Sequence, residues 1–319
     1  MVGNIYLIKK AFVMDISVIV VNYNSSEHTI NCVSSILAQT KGYFTYEIII
    51  VDNNSNDAEL NKLRSWFDKV QEKKVHLYES KINTGFALGN MLGVNISSGR
   101  YLFLLNNDCV VINDTLSELA SFMENKTNVA LVSPKCLDRN DKLASSFDYI
   151  PTIANQWLGA SVCRLVHPEN YPLRKIVYTE PVAVPMISGA AMFFRRSVFA
   201  DIGGLDTNYF LYCEEEDICL RLKNKEHTIF YVPSAVISHL GGGSTERDIN
   251  IEKEFYISLF YFLNKNYTLL PRVMIKLRYV VKEFIKSFKN KSRFEILFFL
   301  ISGAKMRHSL RHKQKMNAR

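Results

Sequence analysis

Three apolar runs constrain this chain more than anything else in it: Ile16 to Val21, Glu47 to Val51 and Tyr101 to Leu105. None alternates with polar residues as a half-exposed strand would, so each reads as a strand buried on both faces. Each also ends abruptly in polar residues, at Asn22-Tyr23-Asn24-Ser25, at Asp52-Asn53-Asn54-Ser55-Asn56-Asp57 and at Asn106-Asn107-Asp108. Helix-length segments separate them, from Ser26 to Gln39, on to Val70 after the second cluster, and from Asn83-Thr84-Gly85 through Ser97. A shorter strand, Val75 to Tyr78, precedes the last of these. This alternation predicts an α/β fold on a doubly wound, mostly parallel sheet. Open sheets of that kind bind ligands beyond the carboxyl ends of their strands, where all three polar clusters fall.

A length of 319 residues suits one large domain with an appendage, and 48% hydrophobic residues exclude wholesale disorder. The net charge of +8 is concentrated at one end. Residues 272–319 hold 14 Lys/Arg against 2 Asp/Glu, which leaves 25 against 29 for the rest, so the body is mildly acidic. The six cysteines form no CxxC pair and no zinc-ligand spacing, which predicts reduced thiols in a cytoplasmic protein. Residues 1–14 read as an N-terminal extension with no signal-peptide pattern, and Met14, directly before the first strand, is an alternative start. No apolar run approaches ~20 residues, so no spanning helix is expected.

Beyond Val129 the alternation breaks down. Residues 137–180 read as a loop-rich insertion with Pro151, Pro168 and Pro172, and Met186 to Phe194 reads as one strand. Then come four consecutive carboxylates, Glu214-Glu215-Glu216-Asp217, set between Phe210-Leu211 and Ile218. As a helix start, this run sends some carboxylates to solvent and at least one inward. A carboxylate in a partly apolar cleft has the raised proton affinity that a general base needs. The alternative is an acidic first turn favoured by the helix dipole. Two strands follow, Thr228 to Val232 and Val236 to His239, and then a glycine run, Gly241-Gly242-Gly243. Asp52 is placed either to accept from the imide N–H of uracil or thymine or to cap the next helix. The small residues from Asn83 to Asn90 allow close approach of either a diphosphate or a packed neighbour. Asp108 ends a rigid strand, as a ligand for Mg²⁺ or Mn²⁺ shared with phosphates would. His239 is structural unless a second ligand converges on it.

Taken together, Ile16 to Asn24 with Asp52, Asn83-Thr84-Gly85-Phe86-Ala87, Leu105-Asn106-Asn107-Asp108, Ser188-Gly189-Ala190, the acidic cluster with Cys219-Leu220-Arg221, and His239 with its glycines resemble the inverting family 2 glycosyltransferases. The nearest likeness is to the rhamnosyltransferase-like branch that builds bacterial O-antigen and other surface polysaccharides. It covers residues 15–265 in order and spacing. The resemblance implies a GT-A fold, with a nucleotide-sugar-binding half over 15–125 and an acceptor and catalytic half over 126–265. It implies a dTDP- or UDP-linked donor, dTDP-L-rhamnose first and UDP-hexose or UDP-galactofuranose as alternatives. The acceptor would be a glycan or a polyprenyl-diphosphate-linked chain. Carried over by position, Asp52 would bind the base, with Asn22, Asn24, Asn83, Gly85, Phe86, Asn90 and Asn107 around the donor. Asp108 and His239 would hold Mg²⁺ or Mn²⁺, and Ser188, Gly189 and Asp217 would face the acceptor. The catalytic base would be Glu215, with Glu214 as the alternative. Two positions depart from the family pattern: Asn106 replaces the first Asp of a DxD motif, and Glu215 replaces an Asp. A nucleotidyltransferase is disfavoured because Asn22-Tyr23-Asn24-Ser25-Ser26 is not a glycine-rich basic phosphate loop. A nucleotide-binding scaffold without catalysis remains the non-enzyme alternative.

Residues 266–319 read as an amphipathic basic tail, helical from Arg272. Val273, Met274, Leu277, Val280, Val281, Phe284, Ile285 and Phe288 share one face, and Arg278, Lys282, Lys286 and Lys289 lie opposite. That pattern suits either an anionic membrane surface, on the inner face of the cytoplasmic membrane, or docking on the body through the apolar face. The basic face lacks interleaved aromatics, which argues against nucleic acid. On the first reading, removal of the chain at Pro271 is expected to spare the donor site.

Overall fold

A computed structural model describes residues 13–241 and 248–316. Most of the N-terminal extension, and Gly242-Gly243 with the residues that follow to 247, lie outside the described residues. The first half alternates as expected: β1 (Met14–Asn22), α1 (Ser26–Gln39), β2 (Tyr46–Asp52), α2 (Asp57–Val70), β3 (Val75–Glu79), α3 (Gly85–Ile96) and β4 (Gly99–Leu105). There follow β5 (Cys109–Val111), α4 (Thr115–Asn125), β6 (Val129–Leu137) and, in the insertion, β7 (Phe147–Asp148) with the short helices α5 (Ile153–Trp157) and α6 (Ala160–Val166). The remainder is β8 (Val182–Ala183), β9 (Met186–Ile187), β10 (Ala191–Arg195), α7 (Arg196–Asp201), α8 (Glu214–Asn224), β11 (Thr228–His239), α9 (Ile249–Asn266), α10 (Leu269–Lys289) and α11 (Arg293–Ile301).

The central sheet runs β3-β2-β1-β4-β10-β6-β11-β5, with β8 also paired to β11. Strands β1 to β4 are mutually parallel, and β6 and β11 share their direction; β10, β5 and β8 run against it. Both faces are covered. Ile16, Val18 and Val20 pack with Cys32, Val33 and Ile36 of α1 and Leu116 of α4. Ile19, Leu102 and Leu104 pack with α3, α8 and α9 on the other side. Burial on both sides is why these strands read as unbroken apolar runs.

Two expectations are corrected. Met186 to Phe194 is not one strand: β9 pairs with β7 in a separate ribbon, whereas β10 enters the central sheet, and Ser188-Gly189 turns between them. Conversely, Thr228 to Val232 and Val236 to His239 are one strand, β11, whose register shifts between Val232 and Val236. Pro233 lies inside that shift, and its missing N–H leaves a gap in the ladder.

The tail is docked, but not through its apolar stripe. Ile275 of α10, Ile296 and Leu300 of α11, and Ala304 are buried in the core shared with α8 and α9. On α10 the inward face also carries a wholly buried carboxylate, Glu283. It accepts from Tyr256 Oη (2.9 Å), Lys286 Nζ (2.8 Å) and Arg293 Nε (2.8 Å), and Arg293 also pairs with Glu252 at 2.5 Å. Val273, Leu277, Phe284, Ile285 and Phe288 meanwhile face solvent. Pro271 sits in the first turn of α10, where its missing N–H removes no helical bond. No helix among the described residues is long and apolar enough to cross a membrane. Arg293→Met should strip Glu283 of its main partner inside the protein. The expected loss is about 2–3 kcal/mol, somewhat below that of a buried pair broken outright because Lys286 remains. Urea unfolding of the variant against the parent measures it.

Candidate active site

The polar ends of β1, β2 and β4 surround a pocket of about 310 Å³. Its frame is Asn53. The Asn53 amide donates to Asn83 Oδ1 and to the Gly85 carbonyl (both 3.0 Å), while its Oδ1 accepts from the Thr84 N–H (2.9 Å) and hydroxyl (2.8 Å). The loop before α3 is thereby fastened to the end of β2. Gly85 then makes the turn at φ +77°, and a Cβ there would lie 2.1 Å from the Phe210 carbonyl oxygen. The N–H of Phe86 donates to that same oxygen at 2.7 Å. This contact joins the pocket to the loop that leads into the acidic helix, and Phe210 and Leu211 line the pocket wall.

Of the expected donor residues, Asn83, Gly85, Phe86 and Asn107 line the pocket. Four others hold the loops behind it. Asp52 is wholly buried and accepts from Asn22 Nδ2 (2.9 Å) and the Ser55 N–H (3.1 Å), the turn-closing use of such a residue. Asn22 Oδ1 accepts from Thr29 Oγ1 (2.8 Å), and Asn24, at φ 50°, accepts from Asn56. Asn90 donates to the Phe86 carbonyl inside α3. The wall also contains residues that sequence reasoning missed: Tyr23, Asn53, Asn106, Ile251, Leu310 and Gln314. Asn53 and Tyr23 were signalled by their neighbours in the strand-end clusters. Leu310 and Gln314 carried no signal, being at the far end of the chain. Their presence overturns the expectation that removing the chain from Pro271 would spare this pocket.

Beside the pocket, β5 pairs with β11 so that His239 stands opposite Cys109. His239 Nε2 lies 3.1 Å from Asp108 Oδ1, and ligand atoms of Asp108, Cys109 and His239 lie within 4.8 Å of one another. Asp108 and Cys109 are thus the groups that converge on His239. Burial alone would lower the imidazole pKa; the hydrogen bond and charge of Asp108 reverse that and raise it to about 10. Burial would raise Asp108, but its bond to His239 wins and holds it below the usual carboxylate value. The donor set fits a divalent cation. A hard carboxylate oxygen and an imidazole nitrogen converge, and Asn106 Oδ1 nearby in the chain is buried with no partner.

The acidic helix α8 opens from two consecutive left-handed residues, Tyr212 (φ 73°) and Cys213 (φ 65°). Such conformations cost about 1–3 kcal/mol each in a non-glycine residue and persist only where the surroundings impose them. Here they swing the first turn of α8 inward. Glu214, Glu215 and Glu216 each end in an enclosed, unpartnered Oε2. Burial raises the proton affinity of all three, and mutual repulsion adds to it for Glu214 and Glu216. Glu215 and Glu216 lie side by side, and burial is the largest cause of the raised proton affinity of both. Glu215 also accepts from the Gly189 N–H, and a Cβ on Gly189 would sit 3.4 Å from Glu215 Oε1. Asp217, expected on the acceptor side, points elsewhere. It is fully buried and bonded to Arg221 Nε and Lys265 Nζ (both 2.8 Å) and to Asn266 Nδ2 (3.1 Å). Two residues along a helix carry a side chain to the far face, which explains the correction. Gly85→Ala should force both a left-handed alanine and a backbone clash with Phe210. The expected cost is at least about 2 kcal/mol, read as a lowered melting temperature.

Comparisons with known proteins agree with this geometry. The chain is 26% identical over 234 residues to the low-salt glycan biosynthesis hexosyltransferase Agl10 of Haloferax volcanii, covering 70% of this chain and 66% of that one. It is 30% identical to the rhamnosyltransferase WbbL of Escherichia coli K12 over 42% of this chain and 50% of the relative. With the dTDP-rhamnosyl transferase RfbF of Shigella flexneri it shares 22% identity over 86% of each. The chain thus spans less than two thirds of the length of several of the curated relatives it matches. Among solved structures, GalNAc-T7 with UDP, GalNAc and Mn²⁺ matches with a TM-score of 0.58 at 18% identity, over 77% of this chain and 47% of that one. Staphylococcus aureus TarS 1-349 matches with a TM-score of 0.55 at 13% identity, over 91% and 81%. The fold is therefore that of the GT-A glycosyltransferases. The Glycosyl transferase family 2 model matches residues 17–203, more than half of the chain, and the chain belongs to that family.

Proposed function

We propose that this protein is an inverting glycosyltransferase that moves a hexose from a nucleotide donor to a glycan acceptor. The observation that carries this reading is the fastening of the pocket to the acidic helix: Phe210 bonds to Phe86 on one side and leads through the Tyr212-Cys213 turn to the glutamates on the other. A pocket floored by polar strand ends and walled by Val21, Tyr23 and Phe86 suits a nucleoside diphosphate. Asp108 and His239 would hold a Mg²⁺ or Mn²⁺ ion, which when bound offsets charge developing on the departing diphosphate. Glu215 accepts the proton of the acceptor hydroxyl as that oxygen attacks the anomeric carbon. The Gly189 N–H orients the Glu215 carboxylate, and the absence of a side chain there leaves room for the acceptor. One displacement inverts the anomeric centre.

The donor we favour is dTDP-L-rhamnose, supported by the likeness to two rhamnosyl transferases; a UDP-hexose or UDP-galactofuranose is the second choice, supported by the fold shared with a UDP-bound neighbour. The acceptor would be a growing, lipid-linked surface polysaccharide. We also propose that α10 lies on the inner face of the cytoplasmic membrane. Its exposed stripe, Val273 to Phe288, is flanked along one side by Arg278, Lys282, Lys286 and Lys289, the pairing of apolar and basic surface that interfacial attachment needs.

Four outcomes test these readings. Glu215→Gln should lower turnover by ~10²–10⁴-fold while nucleotide binding persists; if Glu214→Gln alone does so, the base is Glu214. Because the working form of Glu215 is deprotonated and its proton affinity is raised, kcat should climb with pH along a limb lying above the ordinary carboxylate range. A screen of dTDP-L-rhamnose and UDP-sugars with Mn²⁺ or Mg²⁺, with and without EDTA, reads both donor and cation dependence, and no turnover of any donor would favour the scaffold alternative. Sedimentation with anionic vesicles should capture the protein at low salt and release it at high salt, as screening shortens the reach of the basic row. No capture at low salt rules out the membrane role.

A further inference from the structure

One wall of the pocket comes from neither the sheet nor the acidic loop. Leu310 and Gln314 supply it, with Ile251 from the first turn of α9. They belong to a short turn, Leu310–Lys313, and its flank, closed on itself by Gln314 Nε2 donating to the Leu310 carbonyl at 2.8 Å. This strap is fastened on both sides of the pocket. Buried Ser309 donates to Glu254 Oε1 at 2.8 Å, and the Leu310 N–H donates to Glu254 Oε2 at 2.7 Å. Arg311 donates to the Thr207 carbonyl. Beyond the turn, the Lys315 carbonyl accepts from Asn54 Nδ2 at 3.2 Å, and Asn54, left-handed at φ 67°, lies just past the end of β2. The strap therefore runs from the buried face of α9 to the tip of a central strand.

A segment that merely covered surface would not need its anchor to be a carboxylate that is 1% exposed on a helix otherwise inward-facing with Tyr256, Ile257 and Phe260. A buried carboxylate is costly unless its oxygens are met, and both oxygens of Glu254 are spent on the strap. That commitment sets the position of Leu310 against Val21, Tyr23, Phe86, Leu105 and Phe210, an apolar surface suited to a flat base and ribose.

We propose that the strap completes the nucleotide site, with Leu310 packing on the nucleoside of the donor and Glu254 acting as the positioning residue that holds it there. This rests on the reading of the pocket as the donor site. The test uses the full chain and four proteins, the parent, Leu310→Ala, Leu310→Met and Glu254→Gln, titrated with UDP and dTDP in the presence of Mn²⁺ and assayed with the donor they turn over. Leu310→Ala should weaken nucleotide binding and raise donor KM by about ten- to a hundredfold, the worth of a few methylenes in an apolar pocket, with kcat little changed. Leu310→Met should recover most of that loss. Glu254→Gln, isosteric but able to accept through only one atom, should raise donor KM without abolishing turnover. Saturating nucleotide should also slow trypsin cleavage after Arg311 and Lys313. If the parent binds nucleotide while Leu310→Ala binds it equally well or more tightly, the strap is a cover or a plug and the proposal falls. If the parent binds neither nucleotide, the donor-site reading itself falls and takes this inference with it.

Discussion

The structure depends on central strands that point the same way and stop in line. Asn22 stands opposite Asp52, and Leu104 opposite Ile19, so the ends of β1, β2 and β4 share one edge of the sheet. Past the last ladder bond, the backbone groups at that edge need partners in a place where water is scarce. They find them locally: the Asn53 N–H donates to the Asn22 carbonyl (2.7 Å), the Ser80 N–H to the Asp52 carbonyl (2.8 Å), and the Asn106 N–H to the Ala190 carbonyl (2.9 Å). Side-chain amides complete the network. A densely hydrogen-bonded network is rigid, and rigidity at the strand ends is what gives the pocket a fixed floor.

That fixed floor makes the acidic helix tolerable. Three enclosed glutamates and two left-handed residues oppose folding at the start of α8. The compensation comes from the rest of the helix and from its neighbours. Phe210 is held by Phe86 and by the steric demand of Gly85, Asp217 is locked by Arg221 and Lys265, and Ile218, Cys219 and Leu222 are buried without exposure. The helix is pinned by one face so that its first turn can hold carboxylates in a proton affinity range that water would never allow.

The tail shows a different balance. A lone amphipathic helix is expected to bury its apolar face. In α10 the inward face carries Glu283 and Ser287 beside Ile275, with Val280 packed at its margin, while Val273, Leu277, Val281, Phe284, Ile285 and Phe288 stay outside. The ion pairs among Glu252, Glu283 and Arg293 replace the apolar packing that would otherwise dock the helix. The fold thus leaves an apolar row on the surface of α10 instead of burying it.

The parallel α/β architecture was legible because two-sided burial writes itself as unbroken runs such as Ile16 to Val21, and the strand ends were legible because Asn, Ser and Asp punctuate them. The inward turn of the acidic cluster was legible because four carboxylates beside Phe210 and Ile218 conflict with simple folding. Sequence alone could not divide the labour within these clusters. Whether Asp52 faces a ligand or closes a turn, and whether Asp217 points to an acceptor or to Arg221, depends on side-chain direction, which neighbours distant in the chain decide. The break between Ile187 and Ala191 was equally hidden, since β7 and β4 compete for adjacent segments only once both are folded. The strap was beyond reach altogether. Leu310 lines the same pocket as Tyr23 and Asn53 because Glu254 on a separate helix holds Ser309 and Leu310 by two hydrogen bonds, and an arrangement of that kind leaves no local pattern: periodicity records which face of an element is buried, not what lies against it.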